Sequence, residues 1–109
     1  MMSRPAIPIL IVAVAVILAP AFGQAADEGA TLYQARCAAC HGVDGAGKPA
    51  ARIPSLISDD VRKATDADLT DGIASGGTSR KAAHAFQAKG VSPDQIRMIV
   101  AYIRELQKK

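Results

Sequence analysis

The sequence predicts an all-α domain of three to four helices, on three observations. A run beginning at Ser92 opens with strong capping residues and carries apolar residues at helical spacing. A second helical pair, Leu69 and Ile73, is followed by the stop signal Gly76-Gly77. No stretch alternates apolar and polar residues as a half-buried strand would, and no repeat or low-complexity tract occurs.

The N-terminus comes first in the chain and is set apart from that domain. Met1-Met2-Ser3-Arg4 is a short positive region, and Ile7 to Ala19 then runs almost without a polar side chain before Pro20 interrupts it. Gly23, Ala25 and Ala26 offer small residues for a cleavage site, and the acidic Asp27 and Glu28 follow at once. Residues 1–26 therefore read as a secretory signal and 27–109 as the exported domain. Ile7 to Phe22 is shorter than the about 20 residues a spanning helix needs, so no stable membrane insertion is expected after cleavage. No cysteine stands directly after the apolar run, which excludes a lipid anchor there.

Taking those 26 residues from 109 leaves 83, a single small domain with a thin core that needs a staple. The formal net charge of +3 falls to +2 without Arg4, and Arg52, Arg62, Lys63, Arg80, Lys81 and Lys89 are scattered along the chain. Such charges read as a solvated surface and speak against nucleic acid as a partner.

From Asp27 a first helix is expected. The acidic pair suits a helix N-terminus, good helix formers lead on to Cys37, and Gly29 permits close approach to another helix beside Leu32 and Tyr33. Cys37-Ala38-Ala39-Cys40-His41 follows, the spacing that attaches a c-type haem. Each cysteine adds across one vinyl group, and His41 offers an imidazole as axial ligand. A redox dithiol or a zinc site begins the same way. Against both, these are the only two cysteines, His84 is the only other histidine, and nothing alternates strands with helices as a thioredoxin-like unit does. One covalently attached haem c is thus the expected cofactor, and its flat apolar surface supplies the staple.

Gly42, Asp44, Gly45, Gly47 and Pro49 form a loop in which glycine lets backbone pass near a cofactor. In Ile53-Pro54-Ser55-Leu56 the Pro54 carbonyl is an acceptor for the free ring nitrogen of an iron-bound histidine, though a rigid turn alone explains the proline as well. Thr65-Asp66-Ala67-Asp68 opens a helix over 66–75 in the manner of a capping box, with Asp68 shorter than the preferred Glu or Gln. Gly76 to Val91 is long and irregular, and Phe86 within it argues for packing. The last helix has Ser92 as N-cap, Pro93 at its first position, and Gln95 at the third to complete a capping box. Ile96, Ile99, Val100, Ile103 and Leu106 make its apolar stripe, while Arg97, Arg104, Glu105, Lys108 and Lys109 take the wet side and the helix end.

These residues together resemble a class I c-type cytochrome of the small bacterial or cytochrome c6-like kind, over nearly all of residues 27–109. Gly29 and Tyr33, the Cys37 to His41 site, Pro54 and Leu56, Leu69 and Ile73, and Val100 to Arg104 stand in that family's order. The resemblance implies a haem site of Cys37, Cys40, His41, Pro54 and Leu56, and brings Gly29 and Tyr33 against Tyr102. One departure matters. The family's usual distal methionine position holds Ala83, so His84, one residue on, becomes the candidate second iron ligand beside His41. Met98 reads as a packing residue of the last helix, and Lys81 or Lys89 is a weaker ligand because an amine must first lose its proton.

The resemblance implies a periplasmic, monomeric, non-enzymatic carrier that moves single electrons between exported or membrane-bound redox proteins. Two other functions compete with it. One is a gas sensor or weak peroxidase with an open iron, for which Arg80 and His84 are the nearest candidates; the other is a haem subunit of a periplasmic oxidoreductase complex.

Overall fold

Two helices carry the fold. The computed structural model describes residues 2–15, 21–77, 81 and 83–109, with the backbone alone for 21–26. The expected signal segment 1–26 and the Arg80 of the peroxidase reading thus lie wholly or partly outside the described residues. Helices α1 (Ala21–Arg36) and α5 (Pro93–Gln107) make the most extensive contact, with α4 (Asp66–Ser75) packed on α5. Short helices α2 (Ala38–His41) and α3 (Asp59–Lys63) and a 3-10 turn at Pro49–Ala51 lie in the connections. Among the described residues there is no sheet, only an isolated bridge between Lys48 and Ile53. No helix there is long and apolar enough to cross a membrane.

The all-α expectation holds, with five helices among the described residues where three to four were expected. The additional ones are a 4-residue and a 5-residue helix, too short to show an apolar period. Helix α1 also begins at Ala21, ahead of the Asp27 start read from the acidic pair.

Helix α5 forms as its capping residues dictate. The Gln95 amide donates to Ser92 Oγ at 3.1 Å, and the Ser92 amide donates to Gln95 Oε1 at 2.9 Å. Its stripe then enters the core, where Ile96 and Ile99 are fully buried with Val100, Ile103 and Leu106 close behind. Burial of each such side chain stabilises by about 1.5–3 kcal/mol. At the start of α4 only half a box forms: the Asp68 amide donates to Thr65 Oγ1, and the short Asp68 carboxylate makes no return bond. Gly76 ends that helix in the left-handed conformation, φ 86°.

The α1–α5 contact is close because Gly29 has no side chain: a Cβ there would collide with the Met98 carbonyl of α5. Tyr33, one turn on, is fully buried, with its ring 5.2 Å from that of Tyr102 and its hydroxyl donating to the Gly42 carbonyl at 2.7 Å. Tyr33 thereby ties α1 to the loop just after the Cys-His segment. Burial pushes its phenol up to about 12.

Arg104 departs from the expected wet-side role. Its guanidinium pairs with Asp66 at 2.8 Å and donates to the Val61, Arg62 and Ala64 carbonyls at the end of α3. A cation on these end carbonyls adds to the Ala64 amide that Val61 already accepts, and complements the helix dipole. At its other end α3 is capped by Ser58 Oγ, which accepts from the Val61 amide.

Candidate haem site

Helix α2 is a single turn, and it puts Cys37, Cys40 and His41 on one wall of a cavity of about 250 Å3. The turn is closed by the His41 amide donating to the Cys37 carbonyl at 2.9 Å. Cys37 is partly buried, Cys40 is exposed, and both are free thiols. Burial pushes the Cys37 thiol up to about 11. A redox dithiol needs the opposite, a thiol held low so that it ionises near neutrality. Among the described residues no group of three or more His, Cys, Asp or Glu side chains is placed to hold a metal ion by itself, so the zinc alternative gains nothing here.

His41 is buried, and its Nδ1 lies 3.0 Å from the Pro54 carbonyl oxygen. A carbonyl only accepts, so Nδ1 carries the proton and donates. Nε2 is left with the lone pair that a metal requires. The Pro54 carbonyl is held in place by its neighbours. The Gly47 amide donates to the His41 carbonyl at 2.8 Å, and the Leu56 amide donates to the Gly45 carbonyl at 2.7 Å. Gly47 has φ 72°, and a Cβ on it would press within 2.6 Å of the Ile53 carbonyl, so this position admits only glycine comfortably.

Across the cavity stands His84. Its ring centre is 6.1 Å from that of His41, with 29° between the planes. Two imidazoles bound to one iron from opposite sides, with iron–nitrogen bonds of about 2 Å, hold their ring centres roughly 6 Å apart. The His84 imidazole is held below its ordinary pKa, chiefly by burial and then by the charge of His41 and Lys81, while its hydrogen bond to the Gly72 carbonyl opposes the shift. A neutral ring is the form that ligates.

The remaining walls are apolar. Ile53, Pro54, Leu56, Ile73, Ala83, Phe86 and Ile103 line the cavity, and Arg36, Arg52 and Lys81 also contribute. Leu56 and Pro54 are therefore both at the site. Ile73 of the α4 stripe faces it too, and Phe86 is buried, as its place in the irregular segment suggested. Met98 is not among the lining residues, and it is its backbone carbonyl that faces Gly29. Lys89 is engaged elsewhere: its ammonium lies 5.0 Å over the Phe86 ring. Sequence reasoning passed over Ile53 and Ile103 as wall residues; Ile103 looked like ordinary helix core, and nothing in its spacing separates the two roles. A larger depression of about 550 Å3 between α4 and α5 is lined by Asp66, Thr70, Asp71 and Arg97 among others, and has neither cysteine nor histidine.

A thiol pair at the attachment spacing, one imidazole with its proton placed away from the cavity, and a second imidazole at bis-ligand distance fit one covalently attached haem c. The comparisons agree. Residues 24–103 match the family described as cytochrome C oxidase, cbb3-type, subunit III. No curated protein matches the chain in sequence. The match sustains the resemblance to a c-type cytochrome, without its cytochrome c6-like refinement.

Proposed function

Because the chain belongs to the cytochrome c oxidase, cbb3-type, subunit III family, we propose that it is the haem-bearing, electron-transferring component of an exported redox complex. The family match favours this complex-subunit reading over the freely diffusing carrier, although the one-electron role is common to both. Its partners are other redox proteins, and its place is the periplasm, reached by cleavage of residues 1–26. Loss of that segment would leave Asp27 and Glu28 at the start of α1, where negative charge is favourable.

The haem supplies a one-electron iron couple. Cys37 and Cys40 would hold it by thioether bonds, and His41, oriented by the Pro54 carbonyl, and His84 would be its iron ligands. The 6.1 Å separation of the two imidazoles is the observation that carries this reading. A second nitrogen donor in place of methionine stabilises the ferric state and lowers the reduction potential. Ligation by both imidazoles would leave no open iron for gas or peroxide, which counts against the sensor and peroxidase readings. The protein acts as a carrier and not as a catalyst.

The test is the optical spectrum of ferric and ferrous holoprotein, wild type and His84→Ala. The wild type is expected to be low-spin and six-coordinate in both states, and the variant to become high-spin and bind carbon monoxide at once. A five-coordinate wild type would overturn the distal assignment. Purification from native membranes addresses the complex: co-migration with an oxidase is expected, and recovery solely as a free monomer would return the reading to a soluble shuttle.

A further inference from the structure

The segment that carries His84 is held from both sides. On its C-terminal side the Phe86 and Gln87 amides donate to the Ile73 and Ala74 carbonyls at 3.0 and 3.2 Å. These are last-turn carbonyls of α4, which have no partner within their own helix. On the N-terminal side, the Lys89 ammonium donates to the Ala83 carbonyl at 3.2 Å. The same ammonium lies over the Phe86 ring, whose centre is 6.3 Å from that of His84. Lys89 thus grips the residue before His84 and the aromatic ring beside it. Between these contacts Ala85 has φ 35°, a left-handed conformation that a non-glycine residue adopts only under constraint. A strained residue next to the ligand favours release of the loop, and the Lys89 contacts oppose it.

Resting on the ligation by His84 proposed above, we propose that Lys89 is a positioning residue that latches the His84 loop and sets how fast the sixth iron position opens. Its charge, otherwise one more exposed lysine, acts on the loop through the Ala83 carbonyl and the Phe86 face.

The test is stopped-flow mixing of ferrous holoprotein with rising carbon monoxide. In the wild type the rate levels off, because the ligand enters only after His84 leaves, and the plateau reports that departure. Lys89→Ala is expected to raise the plateau about tenfold, through loss of a charge-assisted hydrogen bond and a cation–π contact. Lys89→Arg keeps both contacts and is expected to stay near the wild-type plateau. Equal plateaus for wild type and Lys89→Ala would overturn the latch while leaving His84 as ligand. An Arg variant as fast as the Ala variant would also overturn it. A wild-type rate that rises with carbon monoxide without levelling would remove His84 as ligand and the latch with it. Unchanged far-ultraviolet dichroism in Lys89→Ala is expected, since the side chain lies at the surface.

Discussion

Replacing Gly29 by alanine puts a methyl group where α1 meets the backbone of α5. It would collide with the Met98 carbonyl oxygen, lie 2.9 Å from the carbonyl carbon, and come within 3.3 Å of Tyr102 Cβ. The first two atoms belong to the interior of a helix and cannot swing aside, so the helices must separate and loosen Tyr33, Ile99 and Ile103. Overpacking of this kind costs about 1–3 kcal/mol, and the better helix propensity of alanine returns about 1 kcal/mol. Because the clash is with helix backbone the cost lies at the top of that range, and a net loss of roughly 2 kcal/mol follows. Gly72 is the internal control: it too lies inside a helix, and a Cβ there would have no atom within 4 Å. Gly72→Ala should stabilise by about 1 kcal/mol. In a domain of this size 1 kcal/mol moves the melting temperature by about 4–8 °C. Thermal unfolding of the holoprotein, followed by far-ultraviolet dichroism, should therefore show a fall of roughly 8–16 °C for Gly29→Ala and a rise of about 4–8 °C for Gly72→Ala. A Gly29→Ala protein as stable as the wild type would refute the close crossing.

Two further outcomes follow from the walls of the site. Tyr33→Phe removes the donor to the Gly42 carbonyl and should cost about 1–2 kcal/mol in urea unfolding. Because burial raises the Tyr33 phenol from 10.0 to about 12, the folded state holds this proton more tightly than the unfolded chain. Its contribution is whole below the unfolded value and is lost as pH rises through the folded one, so wild-type stability should fall over that window by more than that of Tyr33→Phe. Parallel alkaline slopes would contradict this. Gly47→Ala forces a Cβ to within 2.5 Å of the Pro54 carbonyl oxygen that receives His41 Nδ1. Lower holoprotein yield is expected, together with a higher reduction potential, since a displaced carbonyl makes the imidazole a weaker donor. Voltammetry showing the wild-type potential would count against the orienting role of Pro54.

Much of the site was legible because its signals are local. The five residues Cys37 to His41 carry their spacing in the chain itself, and the Ser92 box needs only residues three apart. Pro54 was legible as an acceptor, although its pairing with His41 spans 13 positions and only the folded chain brings them together. What could not be read depends on distant partners. Helix α3 has no apolar stripe, and the cation that satisfies its final carbonyls, Arg104, comes from some 40 residues away and was read as solvated. Lys89 was read only as a surface charge and a weaker candidate ligand for the same reason, since nothing in sequence shows an ammonium meeting a carbonyl 6 residues back. His84 could be nominated from the absence of methionine at Ala83, while its distance to His41 belongs to the fold.

The two walls of the cavity are built from different stretches of chain, anchored by different means. Everything that fastens the ring covalently lies between Cys37 and His41, on a turn braced by Pro54 and Gly47. The opposite wall is a surface loop hung from the end of α4 and clasped by one lysine. Retention of the group and tuning of its reactivity are thus assigned to separate segments. On the ligation proposed above, substitutions in the loop would alter the sixth ligand, and with it the potential, in a protein that keeps its haem. A scaffold divided in this way can change its chemistry one exposed residue at a time.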